Sequence, residues 1–229
     1  MRVTAWTTGA WLGLTAVLLC AAAGGCKREE AKIEVDLTTP RSAAMVFTRA
    51  IENGDPETAK SAAYGAGLEI EWVEAMTRAM TGMRQLVTAS QAKFGAEAQS
   101  LVAGKQTLQL SGALTDAEVQ MTGDRATVVP TGGDGTKIPM KRIDGNWKID
   151  VGMLTRGQDI TMVVKQLRAV GEAAPTLAKD VEAGKYKTIR DVRVEITRLV
   201  VESMYPGAAT RPAVGEPSAA PPADSQPPS

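Results

Sequence analysis

The sequence predicts an α+β fold: N-terminal helices packed on a curved antiparallel sheet, followed by C-terminal helices and a disordered tail. Three observations predict it. Apolar residues recur at helical spacing from Ala44 to Phe94, alternate with period 2 between Glu118 and Asp150, and return to steps of three and four from Ile160 to Ser203. Helices and strands that keep to separate stretches of chain are the mark of α+β rather than α/β organisation.

Each element has its own local reason. Thr39-Pro40 starts the first helix, with Thr as N-cap and Pro at the first helical position. Ala44, Phe47 and Ile51 then share one face, and Asn53-Gly54 stops the helix. Asp55-Pro56-Glu57 opens a second, short helix to about Ala63. A third runs from Leu68 to about Phe94 on a stripe of Trp72, Met76, Ala79/Met80, Met83 and Val87, with a bend or break expected at Gly82. Between 95 and 117 the pattern is mixed: Ala96 to Ala103 reads as helix, and Leu108/Leu110 as strand. The pairs Val119/Met121, Ala126/Val128, Ile138/Met140 and Trp147/Ile149 then alternate with polar neighbours. Gly123-Asp124, Thr131 to Gly135 and Asp144-Gly145 separate them as turns, which predicts an antiparallel meander. Trp147 is expected to pack against the long helix near Trp72 or Met76. Beyond it, Ile160, Val163, Leu167, Val170, Ala174, Leu177 and Val181 form one seam, with a kink or restart expected at Pro175. Gly184 ends that helix. Ile189, Val192, Ile196 and Leu199 continue in a last helix, whose apolar face Val194 and Val201 widen. Residues 205–229 carry seven of the twelve prolines and almost no large apolar side chain, the composition of a disordered tail.

Composition excludes several classes of function. Lys+Arg and Asp+Glu are both 26, so no net positive charge supports a nucleic-acid binder. The chain has no His, which removes the usual general base and every Ser/His/Asp or Cys/His arrangement. Its two cysteines, Cys20 and Cys26, both lie near the N-terminus, so a core disulfide or zinc cage is not expected. No cofactor is expected.

Arg2 precedes an uncharged stretch that continues to Gly25, most apolar from Trp11 to Ala23. About 13 apolar residues suit a signal-peptide core, whereas a spanning helix needs roughly 20. Ala21-Ala22-Ala23-Gly24-Gly25-Cys26 follows and resembles the bacterial lipoprotein signal, with Ala23 standing where Leu is usual. The resemblance implies residues 1–25 as signal peptide, lipidation at Cys26, and membrane attachment through that lipid. Leu18 and Leu19 before Cys20 do not fit the same pattern. Lys27 after the lipidated residue implies, by the enterobacterial sorting rule, the periplasmic face of the outer membrane. Cleavage after Ala23 without lipid, and an uncleaved anchor, are the other two readings of the same residues. Residues 26–38 read as a tether.

Two stretches carry a second resemblance. One runs from Thr39-Pro40 through Ala50-Ile51-Glu52-Asn53-Gly54-Asp55. The other joins Gly123-Asp124-Arg125-Ala126-Thr127-Val128 to Asp144-Gly145-Asn146-Trp147-Lys148-Ile149. Together they resemble the nuclear transport factor two-like superfamily, especially its small secreted bacterial members, over residues 39–150. That implies a curved sheet wrapping a long helix into a cone. The superfamily contains isomerases, dehydratases and cyclases as well as non-catalytic binders, so fold does not decide function. Its enzymes place an Asp or His base, often with a Tyr, inside the cone. The corresponding candidates are Asp150, Glu118 and Tyr64. Glu118 alternates with Val119 and is expected to point outward, while Asp124 and Asp144 belong to turns.

The remaining signals have plain structural explanations. Met76, Met80 and Met83 on one helical face suit core packing better than Cu(I). Gly132-Gly133-Asp134-Gly135-Thr136-Lys137 lacks the order of a phosphate loop and precedes a strand, so it reads as a hairpin loop. Lys137, Lys141, Arg142 and Lys148 make a basic sheet face or edge. The function expected is a non-catalytic, membrane-anchored extracytoplasmic lipoprotein that binds or scaffolds another envelope protein or a small apolar ligand. A protein partner would dock through the helices at 156–204, and a chain ending near Thr155 is expected to keep a folded core. The alternatives are an isomerase/dehydratase-like enzyme using a cavity carboxylate, and a structural spacer.

Overall fold

The computed structural model describes residues 33–101, 111–131 and 137–205. Thr39 caps the first helix, α1 (Pro40–Asn53), through a reciprocal pair with Ser42, and Gly54 closes it at φ 73°. Ala44, Phe47 and Ile51 are buried on one face. Asp55 accepts a hydrogen bond from the Thr58 amide at 3.0 Å and starts α2 (Pro56–Ser61). A two-residue strand follows, β1 (Ala63–Tyr64), which the alternation pattern is too short to reveal. The long helix α3 (Leu68–Phe94) runs between Gly67 and Gly95, both at positive φ.

Residues 95–101 and 111–114 are single 3₁₀ stretches. Leu108 and Leu110, read as strand, lie outside the described residues, as do the signal peptide at 1–25, Cys26, residues 132–136 of the expected hairpin loop, and the tail from 206. The meander consists of β2 (Glu118–Thr122), β3 (Arg125–Val129), β4 (Ile138–Ile143) and β5 (Asn146–Asp150), antiparallel from neighbour to neighbour. Asp144 and Gly145 both take positive φ, the requirement of a two-residue hairpin turn. β1 pairs with β5 in parallel, so the sheet is mixed, five-stranded and ordered β1-β5-β4-β3-β2. The fold is α+β.

After β5, Asp150 caps α4 (Val151–Leu154), Asp159 caps α5 (Ile160–Glu182), and Thr188 with Asp191 caps α6 (Ile189–Met204). α5 runs through Pro175 without a break. α3 likewise runs through Gly82. The two deviations explain each other. A Cβ on Gly82 would lie 3.0 Å from the Pro175 ring, and a Cβ on Gly171 would lie 3.3 Å from the Ala79 backbone nitrogen. Glycine brings the helix axes close, and the proline ring fills the space that Gly82 leaves.

α5 is the most extensive partner of α3, whereas α1 makes the closer approach to β5 and β3. The side chains form two apolar clusters. The first holds Phe47, Ile51, Trp72, Val73, Val128, Met140, Trp147 and Ile149. The second holds Leu86, Ala89, Ala98, Leu177, Val181, Ile189 and Val192. Trp147 therefore shares a cluster with Trp72, on a strand that packs chiefly against α1 rather than against the long helix. Residues 33–38, read as part of a free tether, lie against this core. Ile33 and Leu37 pack on the first cluster, and the Leu37 carbonyl accepts from the Trp147 amide at 2.8 Å. One compact unit begins at Ile33. Among the described residues no helix is long and apolar enough to cross a membrane.

Candidate functional site

The carboxylates singled out as catalytic candidates do not converge. Glu118 is exposed on β2, as its alternation with Val119 predicts. Asp150 ends β5 and is engaged there. Its Oδ1 accepts from the Met153 amide at 3.0 Å and caps α4, because the chain turns from strand to helix at that residue. Asp150 lies opposite Tyr64 in the β1–β5 pairing. Glu69, which no motif in the sequence singles out, is a nearby acid. Its Oε2 accepts from the Ala66 amide at 2.9 Å, and its other oxygen sits where a side chain on Gly152 would be. Both carboxylates thus already hold backbone donors. Tyr64 is partly exposed, with the Lys141 ammonium 4.3 Å from its ring centroid and 3.3 Å from its hydroxyl.

Two open depressions mark the surface. One, of about 240 Å³, lies between α5 and α6 and is lined by Ala169, Glu172, Ala173, Thr176, Leu199 and Ser203. The other, of about 280 Å³, lies between residues 33–36 and α1, with Met45 and Arg49 in its wall. Both are smaller than the ~300–1,000 Å³ of ordinary small-ligand pockets. Met76 and Met80 pack on the first apolar cluster and Met83 on the second, which accounts for the methionine stripe by packing. Among the described residues, no group of three or more Cys, Asp and Glu side chains is placed to hold a metal.

Two surfaces remain. The first is α6. Only its first turn is buried, at Ile189 and Val192. Ile196 and Leu199 are half-buried against α5 and its neighbours. Val194, Val201 and Tyr205 face solvent, Val194 at 60% exposure. They do not widen the packed face as expected; they make a second apolar stripe at helical spacings of seven and four. Arg198 bridges Glu195 at 2.7 Å and Glu202 at 2.6 Å beside that stripe. Glu195 is held below the usual carboxylate range by hydrogen bonds from Arg198. Arg193 ties α6 to the 3₁₀ stretch through the Ser100 carbonyl at 2.9 Å.

The second surface is the sheet face turned away from α1. Arg125 pairs with Lys141, and Lys141 with Lys148, in direct register across β3, β4 and β5. Lys141 and Lys148 thus stand on inner strands, so edge protection does not account for them. Arg142, grouped with them in the sequence, pairs with Trp147 and belongs to the other face. Strand parity carries that distinction, and it also brings in Arg125, which proximity along the chain does not suggest.

No family model matches the chain, and none of the curated proteins or solved structures matches it.

Proposed function

We propose that this protein is a lipid-anchored, non-catalytic binding module of the cell envelope that engages a protein partner through α6. The anchor reading rests on the small-residue run ending at Cys26 behind a short apolar core. The partner reading rests on one observation: α6 is apolar toward α5 and apolar again toward solvent, at Val194 and Val201, with the exposed Tyr205 at its C-cap. A surface helix that serves only its own fold has one apolar stripe and a polar back. A second stripe fits the docking of an amphipathic helix from another envelope protein, with the open depression beside Leu199 as its margin. The resemblance to the nuclear transport factor two-like superfamily agrees with this reading, since many of its members bind without catalysis.

Intact-mass measurement tests the anchor. The expected mature chain begins at an acylated Cys26, and an unmodified N-terminus at Gly24 would overturn it. A photo-reactive side chain at Val201 tests the surface in whole cells. A discrete cross-linked species is expected from Val201 and not from Glu57 on exposed α2. The same products from both positions would remove α6 as the docking surface.

A further inference from the structure

We propose that the open face of the sheet docks on an anionic phospholipid surface, with Arg125, Lys141 and Lys148 as the contact row. The three cations lie in register across three adjacent strands. Neighbouring strands are ~4.8 Å apart, so the row places like charges side by side twice in succession. Like charges directly opposite each other destabilise a sheet. Among the described residues none of the three is paired with a carboxylate within ion-pair distance. The arrangement therefore works against folding in isolation and becomes favourable when an anionic surface covers it.

The face is not uniformly basic. Glu118 stands on β2 at its margin, and Asp150 on β5 is engaged as a helix cap. What distinguishes a bilayer from a soluble polyanion is the company of the cations. Val129, Pro139 and Ile143 occupy the same face half-exposed, and Tyr64 lies over Lys141. Cations interleaved with apolar and tyrosyl side chains match the headgroup boundary, where aromatic rings and basic side chains collect. The point where the chain enters the domain agrees. Six residues, 27–32, separate Cys26 from Ile33, a reach of roughly 25 Å at most. The Leu37 carbonyl is then bonded to Trp147, the residue before Lys148. An anchor at Cys26 thus holds this face within reach of the bilayer. The inference rests on the anchor reading for its biological setting, but its chemistry is tested without the lipid.

The test uses the lipid-free chain from Lys27 to Ser229, which contains the whole compact unit, in co-sedimentation with phosphatidylcholine vesicles that do or do not contain roughly 30% phosphatidylglycerol. Each cation near an anionic surface raises partitioning about fivefold. Binding is expected only with phosphatidylglycerol, and about 0.5 M salt is expected to abolish it. Lys141→Gln/Lys148→Gln should lower partitioning about 25-fold, while Lys165→Gln/Lys179→Gln, at exposed positions of α5, should leave it unchanged. Should the double variant fail to melt cooperatively, Arg125→Gln serves, with an expected fivefold loss. Equal partitioning of the sheet variants and the parent overturns the proposal. So does the absence of vesicle binding, and so does binding confined to a soluble polyanion such as heparin. These failures leave the anchor intact, because intact mass decides that separately.

Discussion

Ser90 shows at the scale of one residue how the core tolerates a defect. It is fully buried in α3, and its hydroxyl has no hydrogen-bond partner among the described residues. A buried polar group left unsatisfied costs about 1–3 kcal/mol. Ser90→Ala removes the group and keeps nearly the same volume, so the denaturation midpoint is expected to rise by about 1 kcal/mol equivalent in urea titration. An unchanged or lower midpoint would mean that the hydroxyl has a partner in solution. Glu52 is the opposite case. Buried at the end of α1, it accepts from the Ser111 amide at 2.8 Å and from the Ser111 hydroxyl at 2.7 Å, fastening a segment 59 residues away. Asp55 predicts a pH dependence at the same scale. Hydrogen bonds from the Thr58 side chain and amide hold Asp55 below its ordinary value of 3.8. A carboxylate whose folded pKa is depressed adds stability above the unfolded pKa and loses it as pH falls through the folded one. Asp55→Asn keeps a capping oxygen without that titration. Its melting temperature should lie below the parent's near pH 7 and converge with it as pH falls below about 4, where the parent's carboxylate takes up its proton. Parallel curves would remove Asp55 from the account.

Helix α3 and its partner α5 show at the scale of the element which features could be read along the chain and which could not. Gly82 and Pro175 read as weak points because each, taken alone, costs a helix: about 1 kcal/mol for an interior glycine and about 3 for an interior proline. Their complementarity is a tertiary fact, invisible until the two helices are side by side. The caps and turns were legible because their chemistry is local: Thr39-Pro40, Asn53-Gly54 and Asp144-Gly145 act within a few residues of themselves. The meander was legible because period 2 sorted Val128, Met140, Trp147 and Ile149 onto one face, where all four are buried. β1 was not, since two residues carry no period and its pairing with Ile149 and Asp150 is parallel and distant. The capping role of Asp150 was not legible either, because it arises where β5 turns directly into α4. At Gly82 an added methyl would meet the Pro175 ring at 3.0 Å and the Ala174 methyl at 3.3 Å, neither of which can rotate away. Gly82→Ala should therefore destabilise by about 1 kcal/mol despite its better helix propensity, and Gly82→Val by about 3, as overpacking does. Calorimetry on the pair checks this; a more stable Gly82→Ala would show that the helices separate at little cost.

The whole molecule depends on how much of the core its C-terminal helices supply. The sequence pattern suggested a sheet domain complete near Thr155, with later helices added as a docking surface. The packing distributes the work differently. Leu86 and Ala89 of α3 are buried in a cluster completed by Leu177 and Val181 of α5 and by Ile189 and Val192 of α6. Val164 of α5 belongs to the first cluster, with Trp72 and Trp147. α5 is thus a wall of both clusters, whereas α6 closes one end of the second. Each fully buried aliphatic side chain contributes about 1.5–3 kcal/mol, against a total stability of about 5–15. Removing residues 156–229 takes away Val164, Leu177 and Val181 and opens the apolar side of α3, a loss comparable to the whole margin. That chain is expected to lose cooperative melting and to bind an apolar dye. Ending the chain at Lys187 removes only Ile189 and Val192 from full burial, so it should melt cooperatively at a lower temperature. The shorter deletion should leave the circular dichroism native apart from the helical signal of α6 itself. A Thr155 truncation that melts cooperatively would show that the sheet and α1 to α3 suffice, and α5 would then be free to serve as part of the partner surface.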